Sequence, residues 1–517
     1  MPSNACGIVP KPESVECSGG VFEIKRSTRI RMSSDARDIG VYLQNLLRPA
    51  TVFPLEIIED SDARPKPDTI GLTLSEASPS LGDEGYELTA SSDAVMIRAL
   101  KPAGLFYGVQ TLRQLLPPEI EMTRPVSGAA WRVPAVRIQD RPRFRWRGLM
   151  LDVARHLFPV DFIKRYIDVM ALHKMNVFHW HLTDDQGWRV EIRKYPKLVE
   201  IGSRRAATPV AYNRERSDDK PYAGYYTREK IRDIVAYAAG RFVTVVPEIE
   251  MPGHAMAVLA GHPELGCTGG PYQVRTKWGV EEDVFCAGNE RVYTFLEDVL
   301  GEALDLFPGE FIHIGGDECP KARWKQCPKC REAIRRHGLK DEDELQSHFI
   351  RRIGRFLSAR GRRMIGWDEI LEGGLAPNAA VMSWRNMEGG IQAAREGHDA
   401  VMSPKTHCYF DYYQSQDVGM EPPAIGGCLP LETVYAFEPV PSGLSPGEAA
   451  HIIGVQGNLW TEYMATPEKV EYMTFPRASA LAEVAWSPPG LRDAGDFSRR
   501  LDFLLRRMEN LGVNCRR

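Results

Sequence analysis

The chain has 517 residues, 43 % of them hydrophobic and 26 % charged, with a net charge of −4. That length suggests two or three domains, the composition is that of a globular protein, and the balanced charge excludes nucleic acid or an anionic membrane as the expected partner. No apolar run approaches the roughly 20 residues a membrane helix needs. Met1-Pro2-Ser3-Asn4-Ala5-Cys6 lacks the basic-then-apolar order of a signal peptide. Two compartments fit: extracellular or periplasmic with the leader absent from this sequence, or cytoplasmic.

Residues 1–138 read as a small α+β domain. Short strands are predicted at Val21–Ile24, Thr69–Leu74, Tyr86–Thr89 and Val95–Ala99. A helix is predicted over Gly104–Leu116, where Leu105, Val109, Leu112, Leu115 and Leu116 share a face and Pro117-Pro118 ends the pattern. Pro125–Pro134 reads as a connector. From Phe144 the pattern changes. Eight short apolar strands alternate with helical stretches, at Arg147–Asp152, Asn176–His181, Val243–Glu250, Phe311–Gly315, Met364–Trp367, Ala380–Trp384, Ala400–Ser403 and Ile452–Gly457. Helices fit between them, as over Asp161–Leu172 and over Thr227–Ala239, the latter with Thr227 as cap and Gly240 as stop. Such alternation predicts an α/β fold, a (β/α)8 TIM barrel over 139–495, preceded by the small domain. A terminal amphipathic helix is expected in 496–517, packed on the barrel.

Ten cysteines are scattered along the chain, and Cys319, Cys327 and Cys330 make the one local cluster. A C-x-x-C with a third thiol could hold zinc, but no fourth ligand is evident, so free thiols or a disulfide are the simpler expectation.

The fourth predicted strand ends in Gly315-Gly316-Asp317-Glu318. Glycines permit a sharp turn there, and two adjacent acids follow. An exposed acidic turn would be ordinary on its own. In a barrel, however, the strand ends carry the chemistry. They supply Asp152 and Arg155, then His179, His181, Asp184, Asp185 and Trp188, then Glu250 and His254. The later strands supply Asp317 and Glu318, Trp367 and Asp368, Trp384, Tyr409 and Asp411, and Trp460 and Glu462. Carboxylates and Arg hydrogen-bond sugar hydroxyls, and flat aromatic faces pack against pyranose C–H faces. Each Trp alone could be a core residue, and Arg155 could simply pair with Asp152 or a second-strand acid.

Together these motifs resemble glycoside hydrolase family 20, the β-N-acetylhexosaminidases, over nearly the whole chain. The matching stretches are Arg147–Arg155, His181–Arg189, Pro247–His254, His313–Glu318 and Gln456–Glu462. One departure is Glu250, where the family often has Asp. The resemblance implies a retaining, substrate-assisted hydrolase, one of the exceptions to the two-carboxylate scheme. It implies Glu318 as general acid and Asp317 as the residue that orients the 2-acetamido group and stabilises its positive charge. Tyr409 would donate to the acetamido oxygen, and Trp367, Trp384 and Trp460 would wall its pocket. Arg155, Asp411 and Glu462 would clamp the terminal sugar, making the enzyme exo-acting, and Asp184 and His254 would tune Glu318. The expected partner is an oligosaccharide or glycoconjugate ending in N-acetylhexosamine. No cofactor or catalytic metal is expected, although His179 and His181, on one strand face, leave room for a metal hydrolase. A disaccharide-releasing relative of the lacto-N-biosidase kind and a degenerate carbohydrate-binding barrel also stay open.

Overall fold

A computed structural model describes residues 7–60, 62, 64–74, 77–210 and 213–517. Cys6, and the Met1–Cys6 stretch read for a leader, lie outside the described residues.

The eight predicted barrel strands form and close on themselves in chain order, every neighbouring pair parallel. They are Trp146–Asp152, Val177–His181, Thr244–Glu248, Phe311–His313, Arg363–Trp367, Ala380–Ser383, Ala400–Met402 and Ile452–Leu459. They are short apolar runs, buried almost throughout, as expected of strands covered by helices outside and side chains inside. Helix Val160–Leu172 follows the first strand with its predicted apolar stripe buried. Helix Arg228–Ala239 precedes the third strand, and the Thr227 side chain accepts from the Lys230 N–H as its cap.

In front stands a seven-stranded mixed sheet built from residues 14–140, with helices Arg37–Thr51 and Pro102–Leu115 packed on it. The connector reading of Pro125–Pro134 is corrected here. Strand Arg132–Asp140 starts inside it and runs between Ser14–Glu23 and Tyr86–Ala90. Pro134 is tolerated because it faces the irregular stretch of the edge strand, where the register shifts between Cys17 and Val21. The helix over Arg37–Thr51 and the strands Arg29–Met32 and Ile57–Glu59 were not expected. The strands are too short to show a period, and Pro49 interrupts the helical reading.

The sheet domain docks at the barrel's strand starts, away from the predicted site. Arg147, at the start of strand one, pairs with Glu84 at 2.8 Å, and Lys174, just before strand two, pairs with Asp140 at 2.8 Å. Helix Ala494–Asn510 binds both parts: Arg500 pairs with Glu483 of the barrel helix Arg477–Trp486, and Arg507 pairs with Glu121 of the sheet domain. No helix among the described residues is long and apolar enough to cross a membrane.

Candidate active site

The strand ends converge on a cavity of about 250 Å³. Arg155, Asp184, His254, Asp317, Glu318, Trp367, Trp384, Tyr409, Asp411, Trp460 and Glu462 all line it. The structure therefore brings together the eleven residues to which the family resemblance gave a role, though not every strand-end residue.

The acid pair is delivered by a turn that only glycine permits. Gly315 and Gly316 have φ of 64° and 95°, and a Cβ on Gly315 would lie 1.8 Å from a Glu250 carboxylate oxygen. Glu318 itself adopts φ 44° and His254 φ 48°, both uncommon for non-glycine residues. Such backbone costs of order 1–3 kcal/mol each, and strain of this kind clusters at functional sites. His254 Nε2 stands 3.6 Å from Asp317 and 3.7 Å from Glu318, joining the two acids. Burial, and then the adjacent Asp317 carboxylate, push the Glu318 carboxyl above its ordinary range.

Behind the pair runs a buried line of alternating charge. Glu248 contacts His181 Nδ1 at 2.5 Å, His181 Nε2 contacts Asp184 at 2.9 Å, and Asp184 contacts both Arg155 at 2.7 Å and His254 at 3.3 Å. Burial alone would lower both histidines, but the surrounding carboxylates prevail: His181 is pushed up to about 10 and His254 well above its ordinary value. His179 and His313 also meet Glu248, at 3.0 and 2.9 Å. These histidines thus crowd around one carboxylate inside the barrel rather than lining the cavity, with His313 Nδ1 accepting from the Gly315 N–H at 3.1 Å. Arg155 makes the ion pairs considered for it, with Asp152 at 3.3 Å as well as Asp184, and still reaches the cavity.

The aromatic walls are held through their ring nitrogens. Trp367 donates to Glu248 at 2.7 Å and Trp384 to Glu369 at 2.9 Å. Trp367 packs 5.8 Å from Trp460, and Trp384 stacks on Tyr409 at 6.0 Å. Burial, then Asp411, raise Tyr409 well above its ordinary value, so its hydroxyl keeps its proton. Three carboxylate oxygens on this wall, Asp317 Oδ1, Asp411 Oδ1 and Glu462 Oε2, are buried without a hydrogen-bond partner among the described residues. Such orphaned acceptors cost about 1–3 kcal/mol each until donors arrive.

Some strand-end residues stay behind the cavity. Asp152 accepts from the backbone of Ala154, Arg155 and Thr461, and Asp368 from that of Trp384. Trp188 is a core residue that donates to the Val190 carbonyl. Glu250 lies under Gly315 with neither carboxylate oxygen hydrogen-bonded among the described residues, and burial, Asp317 and Glu248 push its carboxyl far up. Conversely Trp278, Tyr412, Ile425 and Tyr463 line the cavity and were missed. Tyr412 and Tyr463 directly follow Asp411 and Glu462, a signal that could have found them, whereas Trp278 lies in a long loop with no motif.

A parallel barrel whose mouth joins an elevated acid to aromatic walls and unpartnered carboxylates defines a glycoside hydrolase. The profile of Glycosyl hydrolase family 20, catalytic domain, matches residues 144–489, and that of Glycosyl hydrolase family 20, domain 2, matches residues 5–141. The chain belongs to glycosyl hydrolase family 20. It is 47 % identical to a β-hexosaminidase of Porphyromonas gingivalis over 98 % of its own length, and it spans 64 % of that relative. Among solved structures, the GH20 β-N-acetylhexosaminidase of Streptomyces coelicolor superposes with a TM-score of 0.86 at 35 % identity, covering 100 % of this chain and 98 % of that one. A mutant Streptomyces plicatus β-hexosaminidase in complex with product GlcNAc does so with a TM-score of 0.86 at 35 % identity, covering 100 % and 97 %.

Proposed function

We propose that this chain, as a family 20 β-N-acetylhexosaminidase, removes the terminal non-reducing β-linked GlcNAc or GalNAc from oligosaccharides and glycoconjugates. It acts with retention, the substrate's own 2-acetamido oxygen attacking the anomeric carbon. Glu318 protonates the leaving oxygen and then, as carboxylate, takes a proton from the incoming water. Its raised affinity for protons supports the first role. Asp317 accepts from the acetamido N–H and stabilises the positive charge of the oxazolinium intermediate. Tyr409 donates to the acetamido oxygen, and Trp367, Trp384 and Trp460 hold the group in attack position, an effective-concentration effect. Arg155, Asp411 and Glu462 bind ring hydroxyls.

The observation that carries this reading is the unpartnered Asp317 Oδ1, buried in the same aromatic-walled cavity as Tyr409. A substrate amide supplies the missing donor, and a 2-hydroxyl sugar does not fill the space around it. The test compares aryl β-GlcNAc with the aryl β-glucoside and follows the product by NMR. Hydrolysis of the first, near-inertness of the second, β product at the first turnover and strong inhibition by a cyclic thiazoline are expected. An α product, or a sugar trapped as an ester of a protein carboxylate, overturns the mechanism.

A further inference from the structure

One cluster of reactive side chains lies outside the cavity, and the hydrolytic chemistry makes no use of it. Cys267, Cys286, Cys327 and Cys330 bring their sulfurs within 4.8 Å of one another. Cys319, grouped with Cys327 and Cys330 in the sequence, is not among them. Two thiols arrive instead from the preceding loop. Cys286 Sγ lies 3.6 Å from Cys327 Sγ and 3.7 Å from Cys330 Sγ, and Cys267 Sγ lies 3.9 Å from Cys330 Sγ. A disulfide would bring two sulfurs to about 2.05 Å. Four thiolates around zinc at about 2.3 Å stand at the corners of a tetrahedron whose edges are about 3.8 Å. The observed separations match that edge.

The backbone is shaped to hold this arrangement. Cys327 precedes helix Pro328–His337 as its N-cap and Cys330 sits in the first turn, so the C-x-x-C turn presents both sulfurs on one side. Gly288 presses against that turn: a Cβ there would lie 2.2 Å from the Lys329 carbonyl oxygen and 2.5 Å from the Cys330 nitrogen. The Cys286 N–H donates to the Leu265 carbonyl at 2.9 Å, and Trp324 Nε1 donates to the Phe285 carbonyl at 2.8 Å. Cys286, Cys327 and Cys330 are buried and Cys267 is half-buried. Among the described residues no histidine or carboxylate joins the cluster, which gives it the closed, all-sulfur ligand set of a structural metal site rather than the open set of a catalytic one.

We propose that Cys267, Cys286, Cys327 and Cys330 hold a structural zinc ion that fastens the loop after barrel strand three to the segment after strand four. On binding, the four thiols lose their protons to solvent and the thiolates form four zinc–sulfur bonds. The first loop carries Trp278, Gly279 and Val280 into the cavity wall, and the second segment begins directly after Asp317 and Glu318. The ion therefore sits behind the active site, fixing one cavity wall relative to the acid pair.

The test measures metal per chain, by inductively coupled plasma mass spectrometry, in full-length protein purified without chelator under mild reduction. About one zinc per chain is expected for a single four-thiolate site. The Cys327→Ser/Cys330→Ser double variant is expected to lose it, and Cys319→Ser to keep it. Cobalt exchanged into the wild-type protein should give the intense sulfur-to-cobalt charge-transfer and tetrahedral d–d bands of four thiolates, a readout that stands if the double variant does not fold. Stripping the metal should lower Tm, with recovery on adding zinc and not magnesium. A metal-free wild-type protein, a Cys267–Cys286 disulfide in its peptide map, iron in place of zinc, or zinc undiminished in a folded double variant would each overturn the proposal.

Discussion

At the strand starts, Asp140 accepts from Lys174, Tyr86 and Trp486, and Glu121 accepts from Arg113 and Arg507. At the strand ends, Asp317, Asp411 and Glu462 each keep a buried carboxylate oxygen without a partner among the described residues. Both ends bury charge; the first pairs its acids fully from within the chain, whereas the mouth does so for Asp184 but not for these three oxygens. The ion pairs at the starts join the sheet domain and the C-terminal helix to the barrel, where no ligand is needed. These three acids at the mouth are left for donors the chain does not supply. A buried carboxylate with a full set of donors serves the architecture, whereas Asp317, Asp411 and Glu462 combine an unpartnered oxygen with a place on the cavity wall, the combination expected of a binding site.

Substitutions at the two ends should separate these roles. The largest effect is expected for Glu318→Gln. It keeps shape but cannot deliver a proton, so turnover of substrates with poor leaving groups should fall by about 10³-fold, within the range for general acids. Activated aryl glycosides should suffer far less, and equal losses on both would remove Glu318 from the acid role. Next, Lys174→Met leaves Asp140 buried without its countercharge and should lower unfolding free energy by about 3–5 kcal/mol in urea titrations. Turnover per folded molecule should stay unchanged, and a loss of kcat without a loss of stability would blur the contrast between the ends. Asp317→Asn should do the reverse. One Asp317 oxygen has no partner among the described residues and the other only His254 at 3.6 Å, so Tm should change little, while kcat falls by about 10²-fold as orientation and charge stabilisation weaken. A Tm drop like that of Lys174→Met would make Asp317 a structural acid.

Much of the mouth was legible because the barrel rule converts position along the chain into position in space. Once Phe311–His313 is a barrel strand, Asp317 and Glu318 must stand at its rim, and the same holds for Trp367, Trp384 and Trp460. The role of Glu248 was not legible. It depends on His179 and His181 of one strand and His313 of another converging on the strand between them, and a sequence gives no sign that those side chains surround one carboxylate. The four-cysteine cluster was half legible for the same reason. Cys327 and Cys330 announce themselves by spacing, whereas Cys267 and Cys286 meet them only because two loops fold together. The sheet domain showed the limits of short periods: Arg132–Asp140 was hidden by its own Pro134, which is harmless opposite an irregular edge.

The smallest expected effect concerns pH, and it sharpens the same comparison. His181 lies between Glu248 and Asp184, and His254 lies beside Asp184, Asp185 and Asp317. Burial opposes their charge and the carboxylates outweigh it, leaving His181 at about 10 against 6.5 in an open chain. Between those two values the native state holds a proton that the unfolded chain has released. Unfolding free energy therefore falls as pH rises through this window, and the stabilisation is complete only below about 6.5. One such group contributes a slope of up to about 1.4 kcal/mol per pH unit. Glu369, pushed up to about 8 by burial and then by Asp317, tilts the curve the same way at lower pH. The informative quantity is therefore the difference between wild type and His181→Gln, from urea unfolding at pH 6 to 10. The variant should be less stable at pH 6, and its curve should be flatter above 6.5, so that the two converge toward pH 10. Parallel curves would mean that His181 is neutral, and the line of alternating charge from Glu248 to His254 would then be broken at its second member.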